Sequence, residues 1–308
     1  MGKETSFLLQ AADIMNQNVP LIERDMPLSH LINALLKTKE KNAIIIDRDE
    51  KVIGLITPKI FFKNALNLGH FWKEGGSMLP SKYVELIAEK VPKIRPQTRL
   101  IDVVKILSSK TPFIDGLLVE EKEEILGIIT AGDILWAFLD DPLISTPLKN
   151  ILPKEAEKRI TQKYSTISHI IQTAQELDTD CLVVFEAKNE PWGLITASNM
   201  LFEIETIAKS TLKKERVIVP IRDVERTEEI HTKIQVKETI TPLAEDMATP
   251  IPKIFTQNKN TKKVIKTMFS EGLDGLPIMN ENKEKLLGAL IKKDVIRYLA
   301  KQRGKHPE

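Results

Sequence analysis

Apolar residues along this chain fall into a pattern that recurs four times. Short runs appear as Gly54-Leu55-Ile56-Thr57, Gly127-Ile128-Ile129-Thr130, Gly193-Leu194-Ile195-Thr196 and Gly288-Ala289-Leu290-Ile291. A second apolar run precedes each of them: Ala43 to Ile46, Leu117 to Val119, Leu182 to Phe185 and Leu276 to Met279. Charged turns such as Asp47-Arg48-Asp49-Glu50-Lys51 and Glu120 to Glu124 separate the runs, which predicts a β-hairpin each time. Ahead of the hairpins the apolar positions change to helical spacing, as at Leu28, Leu31, Ile32 and Leu35, or Val264, Ile265, Met268 and Phe269. A helix-like stretch follows each hairpin, so every unit reads strand, helix, strand, strand, helix.

Self-similarity of this kind fixes the architecture before any single element is assigned. Successive motif glycines are 73, 66 and 95 residues apart, and the third gap carries an insertion. The insertion, residues 204–246, includes Lys213-Lys214-Glu215-Arg216 and reads as a solvated connector because its charges are mixed in sign. A shorter linker around Leu68 to Pro80, with Gly75-Gly76-Ser77, joins the first two units. The units therefore group as two pairs: residues 1–145, with units at about 11–66 and 78–141, and residues 146–308, with units at about 147–206 and 243–302. A parallel barrel would need about eight strands each separated by a helix, whereas these strands come in hairpins.

Composition narrows the function. With 308 residues, 42% hydrophobic and 29% charged, the chain is long enough for two domains with real cores. No apolar run approaches the roughly 20 residues that cross a bilayer, and Met1 to Gln10 lacks the features of a secretory signal, so a cytoplasmic protein with no membrane contact is expected. The single Cys181 excludes a disulfide within the chain and suits a reducing compartment. A net charge of +2 does not favour nucleic acid as a partner. Neither GxGxxG nor GxxxxGK[ST] occurs, the five histidines have no ligating spacing, and no nucleophile, base and orienter can be assembled, so no enzyme activity is expected.

The second unit carries Gly116-Leu117-Leu118-Val119 and then Gly127-Ile128-Ile129-Thr130-Ala131-Gly132-Asp133-Ile134; the fourth carries Gly275-Leu276-Pro277-Ile278 and then Gly288-Ala289-Leu290-Ile291-Lys292-Lys293-Asp294-Val295. In these strings each unit resembles a CBS domain, the module first described in cystathionine β-synthase. The resemblance covers nearly the whole chain apart from linkers and ends. It implies an α/β (α+β) fold of four β-α-β-β-α units, packed in pairs as two Bateman modules. It also implies adenosine-containing ligands bound in clefts between units. The four-repeat architecture is similar to that of the gamma subunit of AMP-activated protein kinase, which senses adenine nucleotides.

The residue types suit such a ligand. A carboxylate at Asp133 can accept both ribose hydroxyls, while Thr130 and the amides of the helix that follows can donate to phosphate. The same two residues also read as an ordinary helix start, with Thr as cap and Asp in the first turn. In the first unit the Asp position is Ile60 beside Lys59, which removes the ribose acceptor although Thr57 remains; the third keeps Thr196 but has Asn199; the fourth keeps Asp294 but has Ile291, with Lys292 and Lys293 available for phosphate. By family analogy Lys93-Ile94-Arg95 lines the base edge in the second unit. Ile94 and Leu118 would then touch the base, and as plain core residues they would not. Cys181 reads as a small buried side chain, Trp72, Trp136 and Trp192 as fillers between units, and Lys301 to His306 as a solvated end.

The reading these features carry is a regulatory protein that binds AMP, ADP, ATP or S-adenosylmethionine as a regulatory ligand, with no obligatory cofactor and no metal. Binding is passed to a regulated protein partner through a change in unit orientation. Two alternatives remain: a scaffold or oligomerisation protein with vestigial clefts, and a nucleic-acid-binding regulator using Lys213, Lys214, Lys292 and Lys293. The two modules close on each other within one chain or pair with those of a second chain as a homodimer.

Overall fold

The structure is a computed structural model that describes residues 8–64, 84–109, 114–186, 190–202 and 243–303. The 68–80 linker, most of the 204–246 connector with Lys213 and Lys214, Trp72 and the end of the basic tail lie outside the described residues.

Four small sheets carry the repeat. In the first unit β1 (Leu21–Glu23) runs parallel to β2 (Ala43–Ile46), which pairs antiparallel with β3 (Val52–Ile56). The same order recurs in β4 (Lys93–Ile94), β5 (Leu117–Glu121) and β6 (Glu124–Ile129), and again in β7 (Ile160–Gln162), β8 (Cys181–Phe185) and β9 (Pro191–Thr196). After β10 (Thr249–Pro250), the fourth unit repeats it in β11 (Phe255–Thr256), β12 (Gly275–Met279) and β13 (Leu286–Ile291). Crossover helices Leu28–Thr38, Leu100–Ser108, Ile167–Glu176 and Thr261–Ser270 join the parallel strands. Their apolar stripes point inward as the spacing requires: Leu28, Leu31, Ile32 and Leu35 are buried, as are Leu100, Val103, Val104 and Leu107. Phe269, predicted inside, is only partly buried and stacks edge-on against Trp136 of the second unit, ring centres 5.3 Å apart.

The sequence places the motif glycine at the start of a strand; in the structure it lies inside the strand, beside a register shift that recurs in all four hairpins. The reason is a crossing chain. Each unit lends the segment before its first strand to its partner. Residues 9–16 lie on the second unit, where Asn16 N–H donates to Ile128 O at 2.9 Å and Ile128 N–H returns to Asn16 O at 3.0 Å. The segment before β4 crosses the other way, with paired bonds between Glu89 and Leu55 of 2.8 and 3.0 Å. The second pair repeats the exchange: β10 joins the edge of β9, while the turn Lys154–Lys158 lies over β13. A Cβ on Gly127 would stand 2.5 Å from Asn16 O, and on Gly288, whose φ is +114°, it would overlap the Ala156 carbonyl. Only glycine lets the arms pass.

Within the first pair the sheets meet through Ile44, Leu55, Leu118 and Ile128. In the second, Cys181 and Gly275 face one another, since a Cβ on Gly275 would lie 2.8 Å from that of Cys181. The two pairs close on each other inside one chain. Val295, Ile296 and Leu299 of the last helix, Lys292–Arg303, share a core with Val103, Leu107 and Leu135 of the second unit. Helix Pro58–Asn64 of the first unit packs against Ile167–Glu176 of the third.

Replacing Gly127 by Val should cost about 1–3 kcal/mol by overpacking, whereas Gly132→Ala, whose Cβ would meet nothing closer than Thr130 Oγ1 at 3.5 Å, should be neutral or slightly stabilising. Thermal unfolding of both variants checks this, and equal losses would remove the crossing as the reason for the motif glycine.

Candidate functional site

The ends of all four repeated motifs converge. A cavity of about 120 Å³ is lined by Thr57, Pro58 and Lys59 of the first unit, Thr130, Ala131 and Gly132 of the second, Ala197 and Ser198 of the third, and Lys292 and Lys293 of the fourth. These are the strand-to-helix junctions, so helix N-termini with their positive dipole ends face one centre. Completing the ring are Asn42, Asp115, Asp180 and Asp274, each one or two residues before the second strand of its unit.

That acidic ring escaped the sequence reading, though its signal was present. Asp115-Gly116, Asp180-Cys181 and Asp274-Gly275 repeat in register with Asn42-Ala43, one or two positions before the apolar runs on which the units were aligned. Charges alternate around the centre. Lys59 Nζ lies 2.8 Å from Asp115 and 2.8 Å from Asp178, and Asp178 in turn takes Lys293 at 2.9 Å and Arg297 at 3.6 Å. Lys292 pairs with Asp274 at 3.1 Å, and Lys41 of the first unit donates to Gly272 O of the fourth at 2.7 Å. Asp178 therefore ties three units together from a left-handed backbone position, φ +47°, just beyond helix Ile167–Glu176.

Burial sets the protonation of this cluster. For Lys59 burial acts downward, but the carboxylates of Asp115, Asp178 and Asp180 outweigh it and hold the ammonium above its ordinary value. Burial and the Lys59 charge bring Lys293 down to about 8 against the opposing pull of Asp180 and Asp178. Burial would raise Asp178, but Lys59 and Lys293 lower it to about 2. Asp180 is pushed up to about 6 by burial and by the neighbouring Asp274, and its buried Oδ1 has no hydrogen-bond partner.

The individual candidate residues take different places. Asp133 Oδ2 accepts from Thr130 N–H at 2.7 Å and from Thr130 Oγ1 at 2.8 Å, closing the helix cap, while no side-chain donor reaches Oδ1 among the described residues. Burial raises the Asp133 carboxyl. Thr196 is fully buried and its Oγ1 accepts from Asn199 N–H at 3.2 Å; the Asn199 amide donates to Thr249 Oγ1 at 2.7 Å. Lys292 and Lys293 line the centre but are held in the ion pairs above. Asp294 lies 4% exposed in a two-pronged ion pair with Arg159, which is 3% exposed. Ile94 is buried in the core of its unit and Leu118 between the sheets, the placement of plain core residues. Arg95 is exposed and stands just beyond β4, its carbonyl accepting from Thr98 N–H. Among the described residues no helix is long and apolar enough to cross a membrane, and no group of three or more His, Cys, Asp or Glu could hold a metal.

The CBS domain profile matches residues 11–66, 84–140 and 244–301, more than half of the chain, and the chain belongs to the CBS domain family. The segment containing β7 to β9 lies between these matches and has the same strand order. None of the curated proteins matches the sequence. Among solved structures, protein MJ1225 from Methanocaldococcus jannaschii, proposed as an archaeal homolog of g-AMPK, superposes with a TM-score of 0.70 at 13% identity, covering 94% of this chain and 100% of that one. An uncharacterized conserved protein from Pyrococcus horikoshii gives a TM-score of 0.55 at 13% identity over the same shares of the two chains. At these identities the likeness is one of fold.

The charged centre predicts an unusual pH response. Folded Asp180 takes up its proton near pH 6, whereas the same residue in the unfolded chain stays ionised to about pH 4. The folded state thus binds more protons between those values, and this group makes the protein more stable as pH falls from 7 to 5. Asp178 acts oppositely, but only below about pH 4, where its contribution is lost as pH falls towards 2. Unfolding midpoints at pH 7 and pH 5 should rise more steeply for the wild type than for Asp180→Asn; identical slopes would show that Asp180 is not the titrating group.

Proposed function

We propose that this chain is a non-enzymatic regulatory protein of four CBS repeats, the segment with β7 to β9 being the third, that binds an adenine nucleotide or related adenosyl ligand such as S-adenosylmethionine. The observation that carries the reading is the state of Asp133. One carboxylate oxygen closes the Thr130 cap and the other is left for a ligand, at a helix whose first residues line the central cavity. A ribose diol would give its hydroxyl protons to Oδ1, and a phosphate would meet Thr130, the helix amides and Lys292. Asp133 and Thr130 are the proposed contacts. Ile60 and Asn199 stand where the first and third units would need a carboxylate.

Regulation follows from where the ligand would sit. A group placed at the second unit's junction lies on the ion-pair ring that joins all four units, so its binding shifts the balance between arrangements of the two pairs if it prefers one of them. A protein partner reading that arrangement, in the cytoplasm, completes the proposal. The scaffold alternative is favoured by one observation, the engagement of Asp294 in an internal ion pair.

Thermal unfolding with AMP, ADP, ATP and S-adenosylmethionine separates the two. At 100 times its dissociation constant a ligand stabilises by about 2.7 kcal/mol, which for a module of about 150 residues moves the midpoint by roughly 5–10 °C. We expect such a shift with at least one of these ligands, and its loss in Asp133→Ala. No shift with any of them would favour the scaffold.

A further inference from the structure

The two units that keep the family aspartate differ in what holds it. Asp133 uses one oxygen for its own helix cap. Asp294 uses both: Arg159 Nη1 donates to Oδ2 at 2.5 Å, Arg159 Nη2 to Oδ1 at 2.9 Å, and Ile291 N–H to Oδ2 at 3.1 Å. A third donation, from Arg159 Nη1 to Ala289 O at 2.8 Å, fixes the guanidinium on β13. Two parallel N–H donors on one carboxylate are the arrangement that a vicinal diol would offer with two O–H donors.

Arg159 is where it is because of the arm exchange. It follows the turn that crosses Gly288 and directly precedes β7, and its carbonyl accepts from Val183 N–H. The same backbone bond is made by Pro20 to Ile44 and by Pro92 to Leu118. Pro20 is the counterpart of Arg159 on the arm that crosses Gly127, next to the strand that leads to Asp133, and its side chain has no donor. The two clefts thus differ on the borrowed arm, Pro20 against Arg159, as well as at the junction, where Thr130 stands against Ile291.

We propose that Arg159 occupies the ribose position of the fourth unit, so that each chain carries a single carboxylate-read nucleotide site, at Asp133. The inference rests on the nucleotide reading above, and Arg159 is the residue that sets the number of sites. It also accounts for a family aspartate that is kept and yet buried: its partner is internal.

Calorimetric titration of the full chain with AMP, ATP and S-adenosylmethionine, each in turn, counts the sites. For whichever of these binds, the expected stoichiometry is one per chain for the wild type, none for Asp133→Ala, still one for Asp294→Asn, and two for Arg159→Gln. Two sites in the wild type with one lost in Asp294→Asn would overturn the proposal. So would a folded Arg159→Gln protein that binds one ligand or none, the latter making Arg159 a ligand contact. If circular dichroism shows that Arg159→Gln does not fold, the wild type and Asp294→Asn decide the matter alone. A wild type that takes up none of the three ligands removes the nucleotide reading itself, and the proposal with it, an outcome distinct from a wild type with two sites.

Discussion

Every unit of this protein is finished by a strand or turn that belongs to another. The crossing of these arms over the motif glycines is the constraint from which the rest follows. Because Asn16 and Glu89 exchange backbone bonds with Ile128 and Leu55, neither unit of the first pair has a complete sheet edge alone. Pairing is therefore set by backbone hydrogen bonds, which tolerate no register slip, and not only by apolar contact. The same crossing in the second pair delivers Arg159 to a carboxylate in a different unit, 135 residues away in sequence.

At the centre the problem is electrostatic. Four strand-to-helix junctions aimed at one point bring four positive dipole ends and the lysines of the first and fourth units into a space of about 120 Å³. Uncompensated, such a cluster would drive the pairs apart. Compensation comes from the acids just before the second strand, in three units of four, and from Asp178. Buried ion pairs of this kind contribute little net stability but fix a particular arrangement, since any other leaves a charge without its partner. On the proposed reading, a ligand phosphate would compete here with carboxylates already in place, which would couple occupancy to the fit between the two pairs.

The repeat and its strand and helix order were legible because they depend on periodicity and local turn chemistry, and the grouping into two pairs followed from the spacing of the units and the family resemblance. So were the helix stripes: Leu28, Leu31, Ile32 and Leu35 have no other use for that spacing. The Thr130 and Asp133 pair was legible as two readings, and the structure satisfies the capping one without consuming the second oxygen. Leu118 could not be placed beforehand, because whether an inward strand residue meets a ligand or a facing sheet depends on what stands 10 Å away.

By itself, then, the sequence determined the family, the units and the identity of the polar residues at each junction, since these are encoded within stretches of a few residues. Tertiary structure alone decided why the glycines are required, which acids neutralise the centre, and that Asp294 is held by Arg159. Each of these is a contact between segments far apart in the chain, brought together only when the borrowed arms are in place.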